Sequence, residues 1–203
     1  MQPLASVLGV VLLVVVLLVV PMAAVDLDVT PQDVERALSI ARSRDSERAR
    51  FHAAYIRHLD TASIEKVEVV TEYRRVVLMA EERARKGDRM FGYSVSLATQ
   101  AVGPWKRRVS VVARLRFHPQ NNYVTVPGVD ISLDGNASAL IGVLREPVLS
   151  LPSSDPGDRL PVLGAVVEGV FDAEAVGPGV REFAIRVDHR EIARVRFDLD
   201  EID

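Results

Sequence analysis

An unbroken run of uncharged, mostly aliphatic residues near the N-terminus constrains this chain more than any other feature. Residues 4–20 have the sequence LASVLGVVLLVVVLLVV, and the first charged side chain is Asp26. A segment this apolar is unsuited to the surface of a water-soluble domain and is suited to hydrocarbon. We therefore expect residues 1–25 to form an apolar signal or membrane helix. The rest of the chain is then exported and works on or near a membrane.

The sequence leaves open whether this leader is cleaved or retained. The apolar core of a signal peptide has about 7–15 residues, whereas a spanning helix needs about 20. The run falls between these lengths, and it becomes long enough to span when it is extended to Val25. Ala23 and Ala24 suit cleavage, but Met22 fits the A-x-A pattern poorly. A cleaved signal peptide and a transmembrane anchor therefore both remain possible, and a buried core helix is the third alternative.

The composition of the remaining chain excludes several classes of protein. The formal net charge of -3 gives no bulk basic character, so we expect no nucleic-acid partner. The chain has no Cys, which excludes disulfides, thiolate metal sites and a cysteine nucleophile. Charged residues make up 26%, an ordinary share for a globular protein. We expect one medium domain or two small ones, stabilised by a hydrophobic core.

Residues 30–101 have the patterns of short amphipathic helices. Thr30 can cap a helix that begins at Pro31, and Asp33 suits its positive end. Further along, apolar residues recur at steps of three or four, which predicts an amphipathic helix; they are Ile64, Val67, Val70, Tyr73, Val77, Ala80 and Ala84. β-Branched residues within that stretch leave a strand over residues 65–71 as the alternative. A shorter helix is predicted over residues 90–101.

Residues 105–203 have the patterns of an antiparallel β domain. Apolar and polar residues alternate over residues 108–117, which predicts a strand with one buried face. Further strands are predicted within residues 123–133 and 162–172. The clearest element is a hairpin over residues 183–199, with a turn at 188–190. The predicted fold class is α+β, in which short helices precede an antiparallel β-sandwich or open barrel.

Residues 26–203 contain no motif specific enough to name a reaction. Ser63 and Lys66 have the S-x-x-K spacing, but Ser63 is a natural N-cap and Lys66 lies opposite the apolar stripe of the predicted helix. His52 and His58 are six residues apart, so they do not match the two histidines of a zinc protease helix. The chain also lacks a nucleophile elbow and a phosphate-binding glycine loop. We therefore predict no catalytic residue, no metal site and no cofactor. The alternative is an envelope hydrolase with a site between helices and sheet, which would use His52 or His58 with Glu65, Glu68 or Asp60.

One basic strip suggests contact with an anionic surface. It contains the single tryptophan and five cations, namely Trp105, Lys106, Arg107, Arg108, Arg114 and Arg116. Beside a membrane segment, each such cation could contribute about 1 kcal/mol to the binding of anionic headgroups. The same arginines could instead pair with acidic residues of neighbouring strands. The strip therefore predicts either a lipid- or anionic-polymer-binding surface or an internal charge network.

Together these observations predict an exported envelope protein that acts as a non-enzymatic binding or assembly module. A protein partner could bind at the edge of the sheet that ends in the hairpin. Residues 4–25 would contact the membrane if the leader is uncleaved. The alternatives are the envelope hydrolase and the lipid- or anionic-polymer-binding domain. The predicted location is periplasmic, extracellular or membrane-anchored facing outward.

Overall fold

The computed structural model describes residues 28–59, 61–118, 120, 125–136, 139–150 and 160–202, so the predicted leader lies outside the described part. The helices of these residues are α1 (Pro31–Ala41), α2 (Asp45–Ala54), α3 (Glu72–Arg85), α4 (Val95–Val102) and α5 (Ala173–Val176). Short 3-10 helices cover Met90–Tyr93 and Gly103–Trp105. The strands are β1 (Ile56–His58), β2 (Ile64–Val70), β3 (Arg108–Arg116), β4 (Val129–Leu133), β5 (Leu140–Leu149), β6 (Val162–Asp172), β7 (Val180–Val187) and β8 (Arg190–Asp198). Within the described ranges, none of the helices has the length and apolar content needed to cross a bilayer.

The strands form two antiparallel sheets that share one hydrophobic core. The larger sheet has the order β1-β2-β3-β6-β5, and the smaller has the order β4-β7-β8. Buried residues of both sheets belong to the same cluster, among them Val111, Val167, Phe171, Ile131, Phe183 and Phe197. The predicted α+β class is confirmed. The two sheets face each other as in a β-sandwich and do not close into a barrel.

Strand β3 lies at the centre of the larger sheet and follows the alternation predicted from its sequence. Val111 and Ala113 are fully buried in the shared core, whereas Arg114 and Arg116 are exposed on the opposite face. β3 pairs with β2 on one side and with β6 on the other. Burial on one face and hydration on the other account for the alternation.

Gly164 in β6 is the glycine at which a side chain is least tolerated. A Cβ there would lie 2.3 Å from the carbonyl oxygen of Leu115 on β3. We expect Gly164→Ala to lower the free energy of unfolding by about 1–3 kcal/mol, because paired backbone must shift. Gly142→Ala in β5 is the matched control, because nothing lies within 4 Å of its Cβ position. Equal urea midpoints for the two variants would contradict this prediction.

A second core lies within the helical part, which we call the helical layer (α1, α3 and α4). Its buried residues include Val34, Ala37, Leu38, Val76, Val77, Ala80, Phe91, Ala98 and Val102. The predicted start of α1 is confirmed, because the Thr30 backbone N–H donates to Asp33 at 2.9 Å and the Asp33 N–H donates to the Thr30 hydroxyl at 3.3 Å. α3 and α4 are inserted between β2 and β3, which are neighbours in the sheet.

The long helix predicted from residue 64 is wrong for its first part. Residues 64–70 form β2, as the alternative allowed, and the helix begins at Glu72. Ile64, Val67 and Val69 are buried in the shared core. Thr71 then caps α3, because its hydroxyl accepts a hydrogen bond from the Arg74 N–H at 3.2 Å. Residues 30–101 therefore contain two strands besides the helices.

The later strands agree with the sequence patterns in part. The predicted hairpin is confirmed as β7 and β8, and its turn residues Asp188 and His189 have positive φ angles of 47° and 67°. The strand predicted within residues 123–133 is β4, an edge strand that begins at Val129, and residues 121–124 lie outside the described part. The sequence patterns did not predict β5. Nor did they predict α5, which separates β6 from β7.

Candidate functional site

The structure divides the basic strip into two groups at opposite ends of β3. Lys106, Arg107 and Arg108 lie where the helical layer joins the strand, and Arg114 and Arg116 lie near its other end. At about 3.3 Å per residue, Arg108 and Arg114 are separated by roughly 20 Å. All five side chains are exposed. The strip is therefore two separate basic groups and not one continuous cluster.

Trp105 is held by an arginine of the helical layer. The guanidinium carbon of Arg75 lies 3.7 Å from the centroid of the Trp105 ring. Arg75 also donates to the hydroxyl of Ser110 at 2.6 Å and to the carboxylate of Glu168 at 2.9 Å. Two of the strip's arginines have acidic neighbours as well: Arg107 pairs with Glu174, and Arg114 lies 3.9 Å from Glu65. Trp105 thus helps to join the helical layer to the outer face of the larger sheet.

A buried ion pair makes a second connection between these layers. Arg74 of α3 is only 1% exposed and donates to the Glu68 carboxylate of β2 at 2.7 Å. Its guanidinium also donates to the Val69 carbonyl at 2.5 Å and stacks over the Tyr55 ring at 4.9 Å. Lys66 lies 2.5 Å from the other oxygen of Glu68. The carboxylate therefore has a cation on each oxygen.

The pKa of Glu68 reflects this balance of charge and burial. Burial alone would raise the pKa, because it disfavours the charged form. The hydrogen bond from Lys66 and the charges of Arg74 and Lys66 act in the opposite direction and outweigh the burial, so the pKa lies below its ordinary value. The group is thus held ionised, which suits a structural carboxylate and does not suit a general acid.

The histidines do not converge on the carboxylates that a hydrolase would need. His52 Nε2 lies 3.0 Å from Glu81 on α3, a carboxylate that the hydrolase alternative did not include. His58 is exposed and lies opposite Lys66 in the pairing of β1 with β2. Asp60 lies outside the described residues. In the part of the chain that the structure describes, no three His, Cys, Asp or Glu side chains are grouped to hold a metal ion.

A shallow groove of about 450 Å³ lies where the helical layer meets the sandwich. It is lined by Ile40, Phe51, Tyr55, Tyr73 and Ile202, with Glu47, Arg50 and Glu201 also contributing. Junctions between packed units are common places for ligands. Its lining is mainly apolar, so an apolar group could fit there. The lining residues do not indicate a particular ligand or reaction.

The free edge of β5 is the most unusual surface of the described residues. β5 is one of the two outer strands of the larger sheet, β1 being the other, and within the described ranges it pairs only with β6. Ile141, Leu144 and Leu149 of β5 are each about half exposed, and so is Leu163 beside them on β6. Soluble proteins normally protect a long edge strand with charges, bulges or a covering segment. β5 has part of this protection, because Arg145, Glu146 and Pro147 lie in its middle and its register with β6 shifts near both ends. The exposed apolar side chains lie before and after these three residues.

The β8 edge of the smaller sheet is protected by charges. On β8, Arg194 and Arg196 bind the Glu182 carboxylate at 2.6 and 2.9 Å, and Arg194 also binds Glu191 at 2.7 Å. Hydrogen bonds from Arg194 and then from Arg196 lower the pKa of Glu182. Charged side chains along an edge discourage pairing with a further strand. β8 belongs to the terminal hairpin, and the sequence predicted that a partner would dock at this edge. The edge with exposed apolar side chains is instead that of β5.

The sequence contained a signal for β5 that pattern analysis missed. Residues 140–144 (LIGVL) are apolar, but Gly142 interrupts them, and Arg145, Glu146 and Pro147 follow. Both charged residues are exposed, so the expected alternation of buried and exposed positions is lost. Pro within a strand is itself typical of an edge strand, because it cannot donate to the ladder. An apolar run that ends in Pro could therefore have been assigned to an edge.

Comparison with known proteins gives no relative from which a function could be transferred. No family model, curated protein or solved structure matches the chain.

Proposed function

We propose that this protein is an exported, non-enzymatic binding or assembly module that takes up an extended segment of a protein partner along β5. The observation that carries the proposal is that this ten-residue strand has an edge without a paired strand among the described residues and exposes three large apolar side chains. A strand added there would hydrogen-bond to the unpaired backbone of β5. The half-exposed Ile141, Leu144 and Leu149 would supply the apolar contacts that give specificity.

The leader supports a location at a membrane. If it is retained as an anchor, residues 26–30 can span at most about 17 Å, so the N-cap of α1 stays close to the bilayer. The helical layer that follows is joined to the sandwich through Arg74 and Arg75. β5 lies at the edge of the sandwich and is available to another envelope component. The same edge serves a free exported protein if the leader is removed.

The alternative of a lipid- or anionic-polymer-binding surface has weaker support. Trp105 is half-buried against Arg75, so it is not free to insert among headgroups. Arg107 already pairs with Glu174. The exposed Lys106 and Arg108 remain as a small basic group. Salt-sensitive binding to anionic liposomes that is lost on changing both to Ala would favour this alternative.

A charge placed in the middle of β5 tests the proposal. Leu144 is 54% exposed, so Leu144→Lys should change the free energy of unfolding by no more than about 0.5 kcal/mol. A lysine at the edge should nevertheless prevent strand addition. Val180→Lys is the matched control, because Val180 is 58% exposed and lies on the smaller sheet.

The measurement is chemical crosslinking and recovery of the tagged, full-length protein from its own envelope. We expect wild type and the Val180→Lys variant to recover the same stoichiometric protein partner, and we expect at least a tenfold lower recovery with Leu144→Lys. Equal recovery by all three proteins would contradict the proposal, because the partner would then bind elsewhere. Recovery of no stoichiometric protein by the wild type would contradict it as well.

A further inference from the structure

We propose that an exposed apolar patch of the helical part contacts the lipid bilayer, and that arginines beside it bind the phosphate groups of anionic lipids. The patch consists of Met90, Tyr93 and Leu97, and we call it the apolar patch. This inference rests on the membrane location in the proposed function and adds how the module is oriented there. It concerns a different surface from the basic strip at Trp105.

The apolar patch groups side chains that are normally buried. Met90 is 73% exposed, Tyr93 69% and Leu97 50%. Within the described ranges eight large apolar side chains are exposed, and three of the eight lie in this short segment. Met90 and Tyr93 are three residues apart in a 3-10 helix, which has three residues per turn, so their side chains project from the same side. Grouped exposed apolar side chains, unlike scattered single ones, mark interaction sites.

The residue types of the apolar patch suit the boundary between lipid and water. Tyrosine is enriched there, because its ring is apolar and its hydroxyl is polar. The guanidinium carbon of Arg42 lies 4.6 Å from the centroid of the Tyr93 ring. Arg42 is exposed, and an arginine can lay its apolar stem along such a surface while its charge stays among the headgroups. The patch therefore combines apolar side chains with a cation at its rim.

Two further arginines lie beside the apolar patch and line a common cleft. Arg89 directly precedes Met90, Arg85 is the last residue of α3, and both are exposed. The cleft has a volume of about 340 Å³, which is enough for a phosphate group. Residues 83–104 contain four cations and only one acidic residue. The charge around the patch is therefore complementary to an anionic membrane surface.

The charges of Arg85 and Arg89 are not taken up by the protein itself. Neither arginine forms an ion pair with a carboxylate of the described residues. Three carboxylates nearby already have cations of their own; the pairs are Glu81 with Arg48 at 3.5 Å, Glu82 with Lys86 at 2.6 Å and Asp88 with Arg83 at 3.2 Å. Arg85 and Arg89 are thus available to an external anion, and a guanidinium fork matches the oxygens of a phosphate group.

The chain before α1 keeps this surface within reach of the membrane. α1 has 11 residues, so it is about 16 Å long. Its C-cap, Arg42, donates to the Gly92 carbonyl beside the apolar patch, so the patch lies at the end of α1 that is opposite to the leader. A retained leader connected through residues 26–30, which span at most about 17 Å, allows α1 to lie along the bilayer. Tether length and charge together favour lipid as the occupant over a protein.

The absence of native cysteine permits a test with single-cysteine variants of the full-length protein. Met90→Cys carries a fluorophore, and the protein is reconstituted in vesicles of phosphatidylcholine and phosphatidylglycerol. Val180→Cys is the matched control, because Val180 is 58% exposed and lies on the smaller sheet. We expect a quencher attached to the lipid acyl chains to act at least about threefold more strongly on the label at Met90→Cys than on the control label. Aqueous iodide should show the opposite order.

Charge variants test the part played by the arginines. Arg85→Gln combined with Arg89→Gln should reduce lipid quenching of the Met90→Cys label to the level found in vesicles of phosphatidylcholine alone. Arg114→Gln combined with Arg116→Gln removes the same charge from the sandwich and should leave the quenching unchanged. Equal quenching in both double variants would overturn the binding of anionic lipid by Arg85 and Arg89.

Two other outcomes would overturn the bilayer contact itself. One is equal lipid quenching of the labels at Met90→Cys and Val180→Cys. The other is a label at Met90→Cys that is shielded from iodide but not quenched by lipid, because a protein would then cover the apolar patch. Leu144→Lys should leave the quenching unchanged, so a failure of this inference and a failure of the proposed function are distinguishable.

Discussion

Glu68→Gln is expected to lower the free energy of unfolding by about 3–5 kcal/mol, because it removes the carboxylate that binds the buried Arg74 guanidinium. Arg74 is 1% exposed, and its guanidinium binds the Glu68 carboxylate directly at 2.7 Å. Removing one member of a buried ion pair leaves the other charge unpaired in a poorly solvated place. The loss of stability is then much larger than the net contribution of the intact pair. Urea unfolding near pH 7 measures the effect.

Glu65→Gln is the matched control for this variant. Glu65 lies on the same strand, but it is 44% exposed and its nearest oxygen is 3.9 Å from Arg114, so its loss should cost less than about 1 kcal/mol. A loss of stability for Glu68→Gln that is no larger than for Glu65→Gln would contradict the structural role of the buried pair.

The same pair predicts how this difference depends on pH. The pKa of Glu68 in the folded protein lies below its ordinary value of 4.5. A carboxyl whose pKa is depressed by folding stabilises the protein above its unfolded pKa, and this contribution is lost as the pH falls through the folded pKa. The difference in stability between wild type and Glu68→Gln should therefore be constant above about pH 5.5 and decrease below pH 4.5.

Phe183→Ala is expected to lower the free energy of unfolding by about 3–5 kcal/mol. Phe183 is fully buried on β7, between Phe171 of the larger sheet and Phe197 of β8. Its ring centroid lies 5.6 Å from that of Phe171 and 6.3 Å from that of Phe197, both with edge-to-face geometry. The substitution therefore leaves a cavity in the shared core and removes two aromatic contacts at once.

Tyr93→Ala provides the control for the loss of an aromatic side chain. Tyr93 is 69% exposed at the end of the 3-10 helix Met90–Tyr93, so the change should alter stability by less than about 1 kcal/mol. In a double-mutant cycle, Phe171 and Phe183 should show a coupling of about 0.5–1.5 kcal/mol. Independent effects of these two phenylalanines, or a loss below 1 kcal/mol for Phe183→Ala, would contradict their role in joining the sheets.

The parts of the fold that were predictable are those in which local chemistry and burial agree. The alternation in β3 and β8 reflects one buried face, and the short turn at Asp188 and His189 lies between two strong strand patterns. Thr30 and Asp33 formed the expected cap because their bonding depends only on neighbouring residues. These elements carry their own structural signal and need no distant partner to be recognised.

The remaining elements depend on contacts that no local pattern contains. Ile64, Val67 and Val70 are spaced as on a helix, but β2 is selected by pairing with β1 and β3 in the sheet. β5 was missed because an edge strand has less burial to impose an alternation. The position of Trp105 could not be predicted either, because its partner Arg75 lies far away in the sequence.

The order of the strands also has a consequence for biogenesis. β3 lies at the centre of the larger sheet, yet one of its two neighbours is β6, where Arg108 pairs with Asp172. During synthesis, the middle of this sheet cannot be completed until residue 172 has emerged. Distant pairing of this kind slows folding and prolongs the exposure of unpaired strands. A product truncated before β6 would leave the central strand without one of its two neighbours and exposed to aggregation.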